Sequence, residues 1–219
     1  MQFTFWQKKF NIILKFFSIK MAEEKFLVPR DVYLKSGIHI GTKFRTKYME
    51  PFIYKTRPDG LSVLNLQKID ERIKTAASFL AQYSPEEILV VCRRENGWKA
   101  VELFGKLTDI RVFAGRYPPG ILTNPNLEDY TEAKIMFVVD AWPDRNAVMD
   151  AVKIGSPVIA LCDTNNQSNF LDFVVPCNNK GKKSLGLLFY ILTKEFLRLK
   201  GKLKENEELK EKLEDFTEE

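Results

Sequence analysis

The chain has 219 residues, 45% of them apolar, and a formal net charge of +5, which fits one soluble globular domain with a short appendage. Its three cysteines, Cys92, Cys162 and Cys177, are odd in number, far apart and without C-x-x-C doublets. With a single histidine in the chain this excludes a structural zinc site and points to a reduced, intracellular compartment.

The first twenty residues, MQFTFWQKKFNIILKFFSIK, carry four lysines and no acid. Lys8, Lys9 and Lys15 interrupt the apolar run, whereas a spanning helix needs about 20 unbroken apolar residues, and no small-residue cleavage site follows. Residues 1–20 are therefore read as an over-called upstream start or a flexible extension before Met21, with a membrane-surface amphipathic helix as the alternative.

Residues 21–66 form a basic N-terminal arm. Between Arg30 and Arg57 stand seven basic residues, Arg30, Lys35, Lys43, Arg45, Lys47, Lys55 and Arg57, against Asp31 and Glu50, with Tyr48, Phe52 and Tyr54 interleaved. Cations bind phosphate oxygens and planar groups stack on unpaired bases, so the mixture suits folded RNA; the alternative is a solvated charged face over a half-buried aromatic strand. Within the arm, GIHIGTK misses the phosphate-loop pattern G-x-x-x-x-G-K-[ST]. Only three residues separate its glycines, Thr42 precedes Lys43, and no apolar strand leads into it. His39 has no nucleophile or ligand set nearby in sequence, which favours a packing or hydrogen-bonding role over catalysis.

From residue 67 to residue 200 the pattern is that of an α/β domain. QKIDERIKTAASFLAQY places Ile69, Ile73, Ala76, Ala77 and Leu80 on one helix face. Short apolar runs then alternate with amphipathic helical stretches: EEILVVCR, GWKAVELFGKLT, IRVFAG, a Pro- and Gly-rich loop, KIMFVVDA, DRNAVMDAVKIG, SPVIALCDT, DFVVP and KKSLGLLFYILTKEFLRLKG. Apolar strands alternating with helices predict a parallel sheet covered on both faces. The last helix is apolar on nearly every side between Leu185 and Leu192, too short a run to span a membrane. Residues 201–219 read as a charged, solvated tail whose apolar positions are Leu203, Leu209, Leu213 and Phe216, with an acidic interaction tail as the alternative.

An open parallel sheet binds ligands beyond the carboxyl ends of its strands. After the first run, Arg93 and Arg94 stand where a dinucleotide fold would place G-x-G-x-x-G, and where a phospho-accepting receiver domain would carry metal-binding acids. Asp140 and Asp163, after later strands, are read as turn formers and helix N-cap neighbours. CNNKGKKS, at the last strand-to-helix turn, puts Lys180, Lys182 and Lys183 where backbone amides and the helix dipole also favour anions. Arg93, Arg94 and Arg116 join them at or near the same edge.

Together these stretches resemble the archaeal and eukaryotic branch of the small-subunit ribosomal protein S-two family, to which the laminin-receptor precursor also belongs. SGIHIGTKFRTKYMEPFIYKTRPDGLSVLNLQKIDERI, GRYPPGILTNP, GSPVIALCDTNN and VVPCNNKGKKSLGLLFYIL carry the resemblance, over roughly Val28 to Lys200. It implies a flavodoxin-like, doubly wound five-stranded parallel sheet in the order 2-1-3-4-5, with no catalysis, no cofactor and no metal. It also implies binding to small-subunit ribosomal RNA and neighbouring ribosomal proteins in the cytoplasm, with no small-molecule substrate and no membrane. Where the family usually has an Asp-Pro pair after the third strand, this chain reads Asp140, Ala141, Trp142, Pro143.

The expected RNA contacts are Lys43, Arg45, Lys47, Lys55, Arg57, Arg93, Arg94, Arg116, Lys180, Lys182 and Lys183. Two rivals stand beside this reading: a phosphate-handling α/β enzyme using Asp140 or Asp163, and a membrane-associated or adhesion module using the aromatic leader.

Overall fold

A computed structural model describes residues 26–204, 209 and 211–217; the leader assigned to residues 1–20 lies outside the described residues. In chain order the elements are α1 (Arg30–Ser36), β1 (Ile53–Thr56), β2 (Ser62–Leu64), α2 (Leu66–Leu80), β3 (Ile88–Cys92), α3 (Glu95–Thr108) and β4 (Arg111–Ala114). There follow β5 (Ile135–Val138), α4 (Arg145–Ile154), β6 (Val158–Cys162), β7 (Phe173–Pro176) and α5 (Lys182–Leu199).

The five later strands form one parallel sheet in the order β4-β3-β5-β6-β7. Counted from β3 this is the expected 2-1-3-4-5 order. Every residue of β3, β5 and β6 is buried, which is why these segments read as unbroken apolar runs rather than alternating ones. The order reverses between β3 and β5, and right-handed crossovers send α3 and α4 to opposite faces. On one face α5 packs against α2 and α3, and on the other α4 lies on β5 and β6. The Pro- and Gly-rich loop crosses that second face and is pinned there by Asp150, which accepts the Gly120 N–H at 3.0 Å.

The arm shares the core of the α/β unit: Tyr33, Ile38, Met49, Phe52 and Leu64 are buried in the same cluster as the sheet residues. β1 and β2 form a small antiparallel hairpin. Asn65 caps α2 by accepting the Gln67 N–H at 3.0 Å, the role its short polar side chain suits at a helix start.

At the other end of the chain the structure departs from the expected solvated tail. Leu213–Phe216 forms a 3-10 turn, Phe216 is buried with its ring 5.7 Å from that of Tyr190, and Leu203, Leu209 and Leu213 pack on the core. The four apolar positions in a charged stretch are the ones that dock. Gly186 on α5 permits this, since a Cβ there would collide with Thr217 and the Phe216 carbonyl.

Candidate nucleic-acid interface

Residues 37–46 run across the carboxyl ends of β6 and β7, held by backbone and hydroxyl contacts. The Asn178 N–H donates to the Ile38 carbonyl at 2.9 Å. The Thr42 N–H donates to Thr164 Oγ1 at 2.9 Å and the Thr46 N–H to the Thr164 carbonyl at 2.9 Å. Thr46 Oγ1 adds a bond to the Asn166 carbonyl at 3.0 Å. Close approach requires Gly41, because a Cβ there would lie 2.5 Å from Thr164 Cγ2 and 3.0 Å from the Ser62 carbonyl.

With Thr42 and Thr46 tied to Thr164 and Asn166, the cations between and beside them are left facing solvent. Lys43, Arg45 and Lys47 are all exposed. Aromatics share that surface: Phe44 is 79% exposed and Tyr48 46%. The hairpin extends it through Lys55, Arg57 and Tyr54, the last 69% exposed. Its RPDG turn closes with the Gly60 N–H on the Arg57 carbonyl at 2.9 Å, with Gly60 at a φ of 83° that a side chain would resist. Arg45 alone of these five cations has an acid partner among the described residues, Glu50 at 3.9 Å with both side chains more than half exposed, a pairing of little energetic weight.

His39 is only 9% exposed. It lines a recess of about 630 Å3 with Arg30, Tyr54, Lys55 and Arg57. Burial lowers its pKa from the ordinary histidine value and the Arg57 charge adds to this, with the Tyr33 carbonyl opposing. His39 is buried and its backbone carbonyl accepts the Leu64 N–H at 2.8 Å, so the residue shapes the arm against the hairpin, as the sequence reading favours.

The carboxyl edge of the sheet is an ordered polar layer. Arg94, after β3, lays its guanidinium on Asp140, after β5, with Nε 2.6 Å from Oδ2 and a second bond from Nη2 to the same oxygen. Asp140 Oδ1 accepts from Asn166 Nδ2 at 2.8 Å and from the Trp142 N–H at 3.1 Å. Asp163, after β6, accepts Lys180 Nζ at 3.0 Å on Oδ2 and the Thr164 N–H at 2.6 Å on Oδ1. Asn179 bridges the layer, donating to the Leu161 carbonyl at 3.1 Å.

Both aspartates are 1% exposed and both are occupied as turn formers and ion-pair partners. A buried carboxylate compensated by its own cation is stable because it is paired. Among the described residues, no group of three or more His, Cys, Asp or Glu side chains is placed to hold a metal ion. The three cysteine thiols are buried and pushed above their ordinary pKa by that burial, Cys92 to about 12.

Of the eleven residues predicted to meet RNA, Arg94 and Lys180 are thus engaged inward. Arg93 and Arg116 are exposed and line a small recess of about 210 Å3 with Pro143, Asp144 and Asn146. Within it, Asp144 is 2% exposed. Burial lifts its carboxyl to about 6, the Arg93 N–H at 3.1 Å opposing and the Asp140 charge assisting. Lys183 is exposed and Lys182 half-buried in the first turn of α5. Asn178 shapes that turn, its Oδ1 accepting the Lys180 and Gly181 N–H groups at 3.1 and 3.2 Å. The clamps Thr42, Thr46, Thr164 and Asn166 escaped sequence reasoning, because Thr42 and Thr164 lie 122 residues apart.

The family model described as Ribosomal protein S2 matches residues 33–133 and 126–198. The chain belongs to the ribosomal protein S2 family. It is 47% identical over 190 residues to the small ribosomal subunit protein uS2 of Nanoarchaeum equitans, covering 87% of this chain and 94% of that one. It is 43% identical over 196 residues to uS2 of Picrophilus torridus, covering 90% and 98%, and 47% identical over 201 residues to uS2 of Pyrobaculum arsenaticum, covering 90% and 97%. Ribosomal protein S2 is a structural component and not an enzyme, so the aspartates at the sheet edge are architecture. Among the described residues no helix is long and apolar enough to cross a membrane.

Proposed function

We propose that this protein binds small-subunit ribosomal RNA and neighbouring small-subunit ribosomal proteins in the cytoplasm, and so serves translation as a fixed part of the particle. The observation that carries the reading is the outward row of Lys43, Arg45 and Lys47, continued by Lys55 and Arg57, on a segment whose other side is tied to Thr164 and Asn166. A cation row with exposed aromatics on a rigid backing suits a polyanion that offers both phosphates and bases.

Arg93, Arg116, Lys182 and Lys183 extend the phosphate-binding surface along the sheet edge. Arg94 and Lys180 belong to the same surface in a supporting capacity, since each neutralises a buried aspartate and fixes the turn from which the outer cations project. Such contacts set position more than they read sequence.

Binding of the purified full chain to small-subunit rRNA, titrated from low to moderate salt, tests the proposal. Affinity falls steeply, with a log–log slope of about −0.9 per phosphate contact in duplex and about −0.7 in single strands. A salt-independent affinity contradicts it.

A further inference from the structure

The loop that departs from the family's usual Asp-Pro pair presents a different kind of surface. Trp142 is 75% exposed and Phe170 56%, and together they wall a cleft of about 340 Å3, the lower end of the roughly 300–1,000 Å3 typical of ligand sites. Neither ring contacts another ring or a cation among the described residues. Phe170 is held at a φ of 65°, a left-handed conformation that is costly for a bulky residue. Its exposed ring recovers little of that cost by burial within the chain. Strain of this kind at a surface aromatic is a pointer to an external partner.

The rest of the lining narrows the partner's chemistry. Arg145, Gln167 and Asn169 border the cleft and are exposed. Among the described residues their side chains have no hydrogen-bond or ion-pair partner. No carboxylate among the described residues lines the cleft. On the far side of Pro143 lies the recess of Arg93 and Arg116, and Arg93 Nη1 donates to the Pro143 carbonyl at 3.1 Å. Two aromatic faces, two free side-chain amides and a neighbouring pair of guanidinium groups match the faces, edge and flanking phosphates of one nucleotide. A base inside a duplex has both faces covered, so the matching ligand is an unpaired one.

We propose that the cleft between Trp142 and Phe170 receives a single unpaired base of the bound RNA. The base stacks on these rings, Gln167 and Asn169 meet its edge, and Arg93 and Arg116 hold the adjoining phosphates. This rests on the RNA-binding reading above and adds a site distinct from the arm.

The test uses the full chain with two probes of equal length, a single-stranded oligoadenylate and an RNA duplex. Trp142→Ala weakens oligoadenylate binding about tenfold, within the range for loss of one base–aromatic stack, and leaves duplex binding within about twofold; Trp142→Phe restores most of the loss. Phe170→Gly, which removes the ring and accepts the positive φ, weakens oligoadenylate binding without lowering the melting temperature. If wild type binds oligoadenylate and Trp142→Ala changes both probes equally or neither, the cleft is not a base site. Unchanged RNA binding with loss of the variant from assembled small subunits means that the cleft docks a protein instead, which also overturns the inference. A wild-type chain that binds neither probe overturns the RNA-binding reading itself, and this inference with it.

Discussion

Arg94 Nε lies 2.6 Å from Asp140 Oδ2, and the pair joins the carboxyl ends of β3 and β5, where the sheet reverses its strand order. In doubly wound folds that crevice is the usual ligand site; here a salt bridge closes it. Asp140 is 1% exposed while the Arg94 side chain is 33% exposed, so the aspartate depends on its partner more than the arginine does. Removing one member of a buried pair strands the other and costs about 3–5 kcal/mol. We expect Arg94→Ala to fall near the bottom of that range, given the partial exposure of Arg94, and to lower the urea midpoint of unfolding. Arg93→Ala, one residue earlier, leaves the midpoint nearly unchanged.

We expect stability and RNA binding to separate along the arm. The exposed cations Lys43, Arg45 and Lys47 support no buried group, so their triple alanine variant should melt with the wild type. Its salt dependence of RNA binding becomes shallower by roughly 2 to 3 log units per log unit of salt, because each cation removed leaves one phosphate with its own counterion. Filter binding over a series of salt concentrations measures the slope.

Gly41→Ala affects both. The added methyl meets Thr164 and the Ser62 carbonyl, and overpacking of this kind costs about 1–3 kcal/mol. The arm should lift from the sheet edge, with hydrogen exchange accelerating at the amides of Thr42 and Thr46, whose acceptors are on Thr164. The β6 amides remain protected.

The sequence made most of the α/β unit legible because fully buried strands leave unbroken apolar runs and α2 keeps a regular apolar face. The hairpin and α1 were not separable within the arm, since β1 is largely exposed and β2 is only three residues long. The cations were visible, but which of them face inward was not. That information was available in combination. In a 2-1-3-4-5 sheet the ends of β3 and β5 are neighbours, as are those of β6 and β7. Arginine after one strand and aspartate after its neighbour therefore imply the pairing of Arg94 with Asp140, and Lys180 with Asp163 follows in the same way. The inward-facing threonines gave no such signal, because threonine alone does not announce whether it is tied or free.

The tail supplies a further check. Phe216 is 1% exposed and packs on Tyr190, and truncation of a buried phenylalanine to alanine costs about 3–5 kcal/mol. Phe216→Ala should lower the melting temperature by several degrees. No change would mean that the turn at Leu213–Phe216 does not stabilise the fold.

Asp144 sets a pH dependence of definite sign. Its carboxyl is lifted to about 6 by burial, against an unfolded value of about 3.9, so between those values the folded state holds a proton that the unfolded state has lost. Its contribution is fully present below about pH 4 and is lost as pH rises through about 6, with a magnitude on the order of 3 kcal/mol. His39, lowered by burial, acts in the opposite sense: the folded chain resists protonating it, so stability is lost as pH falls below the ordinary histidine range. Asp144→Asn should remove the first trend and leave the second, seen as a steeper rise of urea stability from pH 4 to 7 than in wild type.

We expect this chain to work as a fixed, RNA-bound part of the small ribosomal subunit. Sedimentation of the tagged full-length protein from a native lysate, with and without ribonuclease, tests it most directly. We expect co-migration with small subunits and release when the RNA is digested. Recovery of the protein only in the low-mass soluble fraction, with intact small subunits in the same gradient, would contradict it.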